Sequence, residues 1–296
     1  MVSLAVEIAG LKLKNPVMVA SGTFGFGQEY SEYFDLNKLG ALITKSVTLA
    51  PREGNPPPRI IETPAGMLNS IGLQNEGIKF FIENHLPFLS RYDVPVIVNI
   101  AGESVDEYAE LAKILSKESK VKAIEVNISC PNVKKGGMSF GIDPKMTGEV
   151  IAAVKKACHQ PVIAKLTPNV TEITVLAQAA VEAGADALSL INTLVGMAID
   201  IETGKSQLGT LTGGLSGPAI KPIALRMVYA VCQTVKVPVI GIGGIVSGSD
   251  AIEFMLAGAK AVQVGTANFL ESAAPIRIIK EIEDYVHRHP RTLKFS

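Results

Sequence analysis

What the chain lacks narrows it first. Although 47% of its 296 residues are hydrophobic, no stretch reaches the roughly 18 uninterrupted apolar residues that a membrane span needs. Its 28 basic and 28 acidic residues cancel to a formal net charge of zero. With no block of like charge and no basic stripe, the chain offers no electrostatic footprint for nucleic acid. Cysteine is scarce: Cys130, Cys158 and Cys232 are odd in number and scattered. That pattern matches neither a zinc nor an iron–sulfur site, so no metal is expected, and a reducing cytoplasm is the simplest compartment. The opening MVSLAVEIAGLKLKNPV has no basic segment leading into an apolar one. It reads as two short strands of a β-hairpin about Gly10 rather than a signal peptide. No G-x-G-x-x-G follows a strand and no Walker A motif is present, so no nicotinamide dinucleotide site is visible.

What is there is an alternation. Eight short apolar, β-branched runs occupy 16–20, 41–47, 94–100, 123–129, 161–167, 187–193, 237–243 and 261–267. Near-continuous apolar character suits parallel strands covered on both faces. Amphipathic stretches lie between most of them: Asp106–Glu118, Pro144–Ala157, Thr171–Ala183, Ile220–Val235, Ser249–Leu256 and Pro275–Val286. Pro144 suits a first helical position and Gly184 a C-terminal stop. EAGADALSL and LAGAKAVQV repeat one step, in which a helix ends, turns at Gly-Ala and starts a strand. The pattern predicts an α/β chain folded as a single (β/α)8 TIM barrel over residues 1–296, with the short hairpin in front. Two connections, 48–75 and 194–219, are expected as long functional loops at its C-terminal face.

Barrel active sites sit at the C-terminal ends of the strands. Here those ends read Ser21 and Gly22; Lys45 and Ser46; Asn99; Asn127, Ser129 and Cys130; Lys165; Asn192 and Thr193; Gly243 and Gly244; Gly265 and Thr266. For any one position the bland account suffices, since a lysine near a strand end reaches solvent and an asparagine caps a turn. Two lysines in apolar strands and three asparagines on one rim are poorly explained that way, because a buried ammonium is costly without a partner. The glycine pairs after strands seven and eight point to a phosphate, which backbone N–H groups approach closely where no side chain intervenes. A flavin mononucleotide has one phosphate and fits a barrel mouth, and a lysine near its pyrimidine side would stabilise the reduced ring.

The four histidines, His85, His159, His287 and His289, avoid the strand ends and are expected on surface helices. Cys130 follows VNIS at the mouth and precedes a glycine-containing segment, KKGGMSFG, a candidate lid. A thiolate there can act as general base. Cys158 and Cys232 fall on helical patterns and read as small buried hydrophobes.

NISCPN (127–132), NSIGLQN (69–75), Lys45-Ser46, AKLTPN (164–169), INT (191–193), GGLSGPAIKP (213–222), GIGG (241–244) and VGTANF (264–269) together resemble the dihydroorotate dehydrogenases from end to end. NISCPNVKKGG and the INTL…TGGLSGPAIKP pair are similar to class 1B, the NAD-linked form. Cys130 stands where the quinone-linked class has serine, and the membrane-associating extension of that class is not seen. The resemblance implies oxidation of dihydroorotate to orotate in pyrimidine biosynthesis. Cys130 would take the C5 proton and FMN the C6 hydride. It implies FMN contacts from Ser21, Lys45, Ser46, Asn99, Asn127, Lys165, Ile191, Gly217, Gly243, Gly244, Gly265 and Thr266. It implies substrate contacts from Lys45, Asn69, Ser70, Ile71, Gly72, Leu73, Asn127, Asn132, Asn192 and Thr193. It also implies a homodimer within a heterotetramer, whose second subunit carries FAD and a 2Fe–2S cluster and reduces NAD⁺. The alternatives are a class 1A enzyme using fumarate, a non-redox phosphate-binding aldolase or isomerase with Lys165 as a Schiff-base lysine, and a non-catalytic flavin module.

Overall fold

The computed structural model describes residues 3–129 and 141–289. The chain opens with an antiparallel hairpin of β1 (Val6–Ile8) and β2 (Leu11–Leu13). Ala9 and Gly10 at its tip both have positive φ, 50° and 83°. That geometry matches the natural twist of a two-residue hairpin. In chain order there follow β3 (Val17–Val19), β4 (Ala41–Ile43), β5 (Ile60–Thr63), β6 (Gly66–Asn69), β7 (Val96–Ile100), β8 (Val121–Asn127) and β9 (Val162–Leu166). After these come β10 (Ala187–Leu190), β11 (Leu194–Gly196), β12 (Gly213–Ser216), β13 (Val239–Ile242) and β14 (Ala261–Val264).

β3, β4, β7, β8, β9, β10, β13 and β14 pair in that order, all parallel, and β14 closes onto β3. This is the TIM barrel that the alternation predicts. Its outer face buries Val17, Val19, Leu42, Val96, Val98, Val162, Val262 and Val264 against the surrounding helices. Those helices span Val105–Leu115, Pro144–Ala157, Ile173–Glu182, Lys221–Thr234, Gly248–Leu256 and Ala274–Arg288. Among the described residues no helix is long and apolar enough to cross a membrane. The segment after β3 forms only two short 3₁₀ turns, and the one after β6 forms a helical run whose middle, Phe81–His85, is π-helical.

The repeated Gly-Ala step is one physical device used twice. Gly184 N–H bonds to Val181 O and Ala185 N–H to Ala180 O; Gly258 N–H bonds to Met255 O and Ala259 N–H to Phe254 O. Both are Schellman endings, which satisfy the last helical carbonyls and turn the chain toward the next strand. Gly184 and Gly258 carry the required positive φ, 99° and 111°.

The two long connections are not plain loops. β5 and β6 from the first join β11 and β12 from the second in a four-stranded antiparallel sheet, ordered β11-β12-β6-β5. Its strands were hidden in the sequence because Gly213 and Gly214 carry no side chain to signal a strand. They are glycine because neighbouring groups come close: a Cβ on Gly213 would lie 2.8 Å from the Asn69 carbonyl oxygen. The run expected over 187–193 also stops sooner, at Leu190, so Ile191, Asn192 and Thr193 form the turn out of the barrel into β11.

Side chains point inward at every second position of a strand. At the N-terminal end of the barrel Met18, Ile43, Ile97, Ala123, Ile163 and Ala187 form an apolar layer closed off by Val6, Ile8 and Leu13 of the hairpin. Two residues further along, Ile97 gives way to Asn99, Ala123 to Glu125, Ile163 to Lys165, Ala187 to Ser189 and Ala261 to Gln263. All five of these polar residues are buried. The barrel therefore changes from apolar to polar within one step toward its C-terminal mouth.

Candidate active site at the mouth of the barrel

The polar layer is organised around Glu125, which is fully buried. Asn99 Nδ2 donates to Glu125 Oε1 at 2.7 Å, and Ser189 Oγ and Gln263 Nε2 donate to Oε2 at 2.8 and 2.7 Å. Lys165 Nζ stands 3.6 Å from Oε1 and donates to Ser21 Oγ, on the rim, at 2.9 Å. Ser46 Oγ donates to Asn99 Oδ1 at 2.5 Å. A buried charge needs both a partner and hydrogen bonds; here each has them. Ser21, Ser46, Asn99 and Lys165, all read from the sequence, are thus joined in one network. Asn99 is fully buried and engages both ends of its amide within this network.

Glu125, Ser189 and Gln263 were missed in the sequence. The signal for Glu125 was available, since it lies in the apolar run 123–129 just as Lys165 lies in 161–167. Serine and glutamine are too common near strand ends to stand out.

Above this layer sit the asparagines. Asn127 Oδ1 accepts the Ser129 N–H at 3.2 Å and Asn192 Nδ2 at 3.4 Å. Asn192 Oδ1 accepts the Thr193 N–H at 2.8 Å. Asn169 Nδ2 donates to the Thr193 carbonyl and its Oδ1 accepts the Val195 N–H, which braces the turn from outside. Lys45 is half-buried at the end of β4, its N–H bonded to the Gly25 carbonyl.

The segment 69–75 is pinned at both ends. Asn69 Nδ2 donates to the Gly214 carbonyl at 3.2 Å. Asn75 accepts the N–H groups of Thr48 and Gly77 on Oδ1 and donates to the Leu73 carbonyl and the Thr48 hydroxyl. Ser70 Oγ is held by Asn55 Nδ2 and the Thr210 hydroxyl, and the Ile71 carbonyl accepts the Asn55 N–H. Between the pins Gly72 and Leu73 both take left-handed backbone, φ 73° and 58°. For leucine this costs about 1–2 kcal/mol and is kept only where its surroundings enforce it.

The glycines form the opposite corner. Gly217, Gly243 and Gly244 all have positive φ. A Cβ on Gly244 would lie 2.8 Å from Lys221 Cβ and 2.9 Å from the Gly217 carbonyl oxygen, and one on Gly243 would lie 2.7 Å from Ala224 Cβ and 3.5 Å from Ile191 Cγ1. A Cβ on Gly265, by contrast, would meet only Ala20 Cβ at 3.6 Å and Thr23 Cγ2 at 3.9 Å, and one on Gly22 would meet nothing within 4 Å. Gly217, Gly243 and Gly244 are thus glycine because the loops pack closely on one another, whereas Gly22 and Gly265 have open space beside them, and the Thr266 hydroxyl donates to the Ser216 hydroxyl at 2.8 Å between these loops; we refer to this glycine corner as the cradle. Two ammonium groups, several amides and hydroxyls, and this glycine cradle suit a ligand with a polar ring and one phosphate, as FMN has.

Lys221, next to the cradle, has its charge already engaged by Asp250 at 2.6 Å and Glu253 at 3.0 Å. Burial pushes the Asp250 carboxyl up, but the Lys221 ammonium, the Val246 N–H and the Ser247 hydroxyl outweigh it and hold the carboxyl below its ordinary value.

Cys130 and Asn132 lie outside the described residues. Cys158, just past the helix Pro144–Ala157, and Cys232, in the helix Lys221–Thr234, are partly buried, and burial pushes both thiols up, Cys232 to about 11, which favours the protonated form. His85 lies in the helical run Phe81–His85, away from the strand ends as expected, and is partly buried, its ring stacked on Phe26 at 3.9 Å. Burial lowers its pKa, with Glu76 and Glu29 opposing.

A model of the family described as dihydroorotate dehydrogenase matches residues 3–286. The chain is 60% identical over 286 residues to the protein named "Dihydroorotate dehydrogenase B (NAD(+)), catalytic subunit" from Geotalea daltonii, covering 97% of this chain and 94% of the relative. It is 61% identical over 283 residues to the protein of the same name from Geobacter metallireducens, covering 96% and 93%. The crystal structure of DHODH from Eimeria tenella in complex with ferulenol superposes with a TM-score of 0.81 at 23% identity, covering 98% of this chain and 86% of that one. At that identity it speaks for the fold alone.

Proposed function

We propose a residue-level mechanism on one premise: this chain belongs to the dihydroorotate dehydrogenase family. It oxidises dihydroorotate to orotate, a step of pyrimidine biosynthesis. Turning the C5–C6 single bond into a double bond requires loss of a proton from C5 and a hydride from C6. Cys130, next after Ser129 at the end of β8, is the base that takes the C5 proton, as a thiolate can near neutral pH. FMN, when bound, would supply the hydride acceptor.

The chain's own groups then divide the work. Lys165 would bring positive charge to the cofactor, which favours its reduced, more negative form. Ser21, Lys45, Ser46, Asn99, Asn127 and Ile191 would hold its ring system. Gly217, Gly243, Gly244, Gly265 and Thr266 would hold its phosphate through backbone N–H groups and a hydroxyl. Asn69, Ser70, Ile71, Gly72 and Leu73 would contact the substrate, together with Asn127, Asn192 and Thr193; Asn132, outside the described residues, is assigned to it by resemblance alone. Amides suit dihydroorotate because each both donates and accepts, matching the imide and carboxylate. Lys45 adds charge complementarity to the carboxylate. Holding the substrate ring in register with the cofactor supplies much of the rate.

We read residues 1–296 as one FMN-binding domain in the cytoplasm. As the name of its relatives indicates for them, the acceptor we assign is NAD⁺. Electrons reach it through a second subunit carrying FAD and a 2Fe–2S cluster, with two copies of each subunit in the assembly. The fumarate-linked, aldolase or isomerase, and non-catalytic readings find no support among relatives at about 60% identity.

The observation that carries the reading is the joining of Lys165, Asn99, Ser46 and Ser21 through Glu125 in one network at the C-terminal end of the barrel. The test is an anaerobic absorbance spectrum before and after dihydroorotate. Flavin bands that bleach on addition support it. Bands that persist overturn the residue assignments at the substrate site, and a chain that takes up no FMN overturns the cofactor.

A further inference from the structure

The barrel interior contains a carboxylate that this mechanism leaves idle. Glu125 comes from β8, and the groups around it come from four other strands of the barrel: Asn99 of β7, Lys165 of β9, Ser189 of β10 and Gln263 of β14. Each of the three neutral neighbours presents a donor to it, at 2.7–2.8 Å, and the fourth neighbour is an ammonium at 3.6 Å. A glutamine in its place would turn an amide N–H₂ toward those donors, so the surroundings are complementary to an anion. Stability alone is a poor reason for such a group, because a buried ion pair is commonly replaced by apolar side chains of the same volume without loss.

The arrangement instead bears on Lys165. Its ammonium is held between Glu125 on the interior side and the Ser21 hydroxyl on the rim, and it is only 4% exposed. A lysine stem is flexible, and three freely rotating donors do not fix its position. One acceptor on the rim, Ser21 at 2.9 Å, together with the carboxylate charge 3.6 Å away in the interior does. Glu125 also places a negative charge directly behind the positive one, so groups at the mouth feel a reduced net field.

We propose that Glu125 is a positioning residue for the known reaction: it fixes the Lys165 ammonium at the rim and offsets its charge, thereby setting the reduction potential of the bound FMN. This rests on the reading that Lys165 meets FMN. The opposite signs of the two charges make it testable. In the full chain loaded with FMN, Glu125→Gln removes the offset and should make the flavin easier to reduce. We expect at least a tenfold shift in the oxidised-to-reduced equilibrium, or about 30 mV more positive for a two-electron couple. Lys165→Met should shift it the other way, the double variant should fall between the two, and Glu125→Asp should restore most of the parent value. A midpoint in Glu125→Gln equal to the parent's, or more negative, with FMN still bound, overturns the proposal.

A second arm needs no flavin. Lys165→Met strands a buried carboxylate, so the full chain without FMN should unfold at lower denaturant as Lys165→Met than as Lys165→Met with Glu125→Gln. The reverse order overturns the coupling of the two residues, and it does so even if Glu125→Gln alone fails to fold. If the parent takes up no FMN, it is the functional reading that has failed, whereas a stranded-carboxylate effect without any potential shift refutes the tuning role alone.

Discussion

A methyl group built on Gly214 would lie 2.1 Å from the hydroxyl of Thr193. β12 and the turn leaving the barrel after β10 therefore meet with no room for a side chain. Gly214 also pairs with Val195 and with Asn69, and its carbonyl accepts the Asn69 side chain. One glycine thus lies against two of the residues assigned to the substrate, Asn69 and Thr193. Gly214→Ala is expected to displace Thr193 and weaken orotate binding by on the order of tenfold, about 1.4 kcal/mol, while FMN stays bound. Titration of the flavin spectrum with orotate checks this; unchanged affinity would mean that Thr193 plays no part in holding the ligand.

Replacing the proposed base is expected to separate binding from chemistry. Cys130→Ser should keep FMN and orotate affinity but slow flavin reduction by roughly 10²–10⁴, the usual contribution of a general base. The deficit should shrink at alkaline pH, because a hydroxyl ionises less readily than a thiol. Stopped-flow reduction by dihydroorotate across pH measures it, and a parent-like rate would remove Cys130 from the mechanism.

Gly244 and Gly22 make a matched pair for testing the cradle. Both have positive φ, so alanine at either carries about 1–2 kcal/mol of backbone strain. Only at Gly244 would the new methyl also press on Lys221 and the Gly217 carbonyl. Gly244→Ala should therefore loosen FMN by tenfold or more, whereas Gly22→Ala should lower the melting temperature with a smaller effect on FMN. Fluorescence of released flavin reports the difference, and equal effects would place the phosphate elsewhere.

The Lys221–Asp250 pair predicts an acid limb in the stability curve. Asp250 Oδ2 accepts the Val246 and Ser247 N–H groups, the reciprocal half of the capping box that starts the helix Gly248–Leu256. Its folded pKa is lowered, so the folded state favours the carboxylate. That stabilisation is complete above the unfolded pKa, about 3.9, and is lost as pH falls through the lower folded value. Asp250→Asn should cost about 1–2 kcal/mol near neutrality, in the range of a lost helix cap. It should also flatten this part of the acid limb. Denaturant melts of both proteins between pH 2.5 and 7 test it; parallel curves would contradict the assignment.

The amino-acid sequence by itself determined the barrel and its polarity. Eight apolar runs separated by amphipathic segments leave few ways to bury both faces of a parallel sheet, and the Gly-Ala endings at 184–185 and 258–259 mark where helix passes to strand. Because such barrels present their loops at the C-terminal ends, Ser21, Lys45, Asn127, Lys165 and the glycine pairs were already legible as one rim. The tertiary structure alone decided what those residues do to each other. Glu125 looked like one acid in an apolar run until closure of the barrel brought Asn99, Ser189 and Gln263 to it from strands up to 138 residues away. β5, β6, β11 and β12 were hidden for a related reason: with glycine at 213 and 214 their strand character comes from backbone pairing between distant segments, not from side-chain alternation. A pattern of residue types is local, whereas a hydrogen-bond partner or a forbidden Cβ depends on which distant segments the closed barrel brings together.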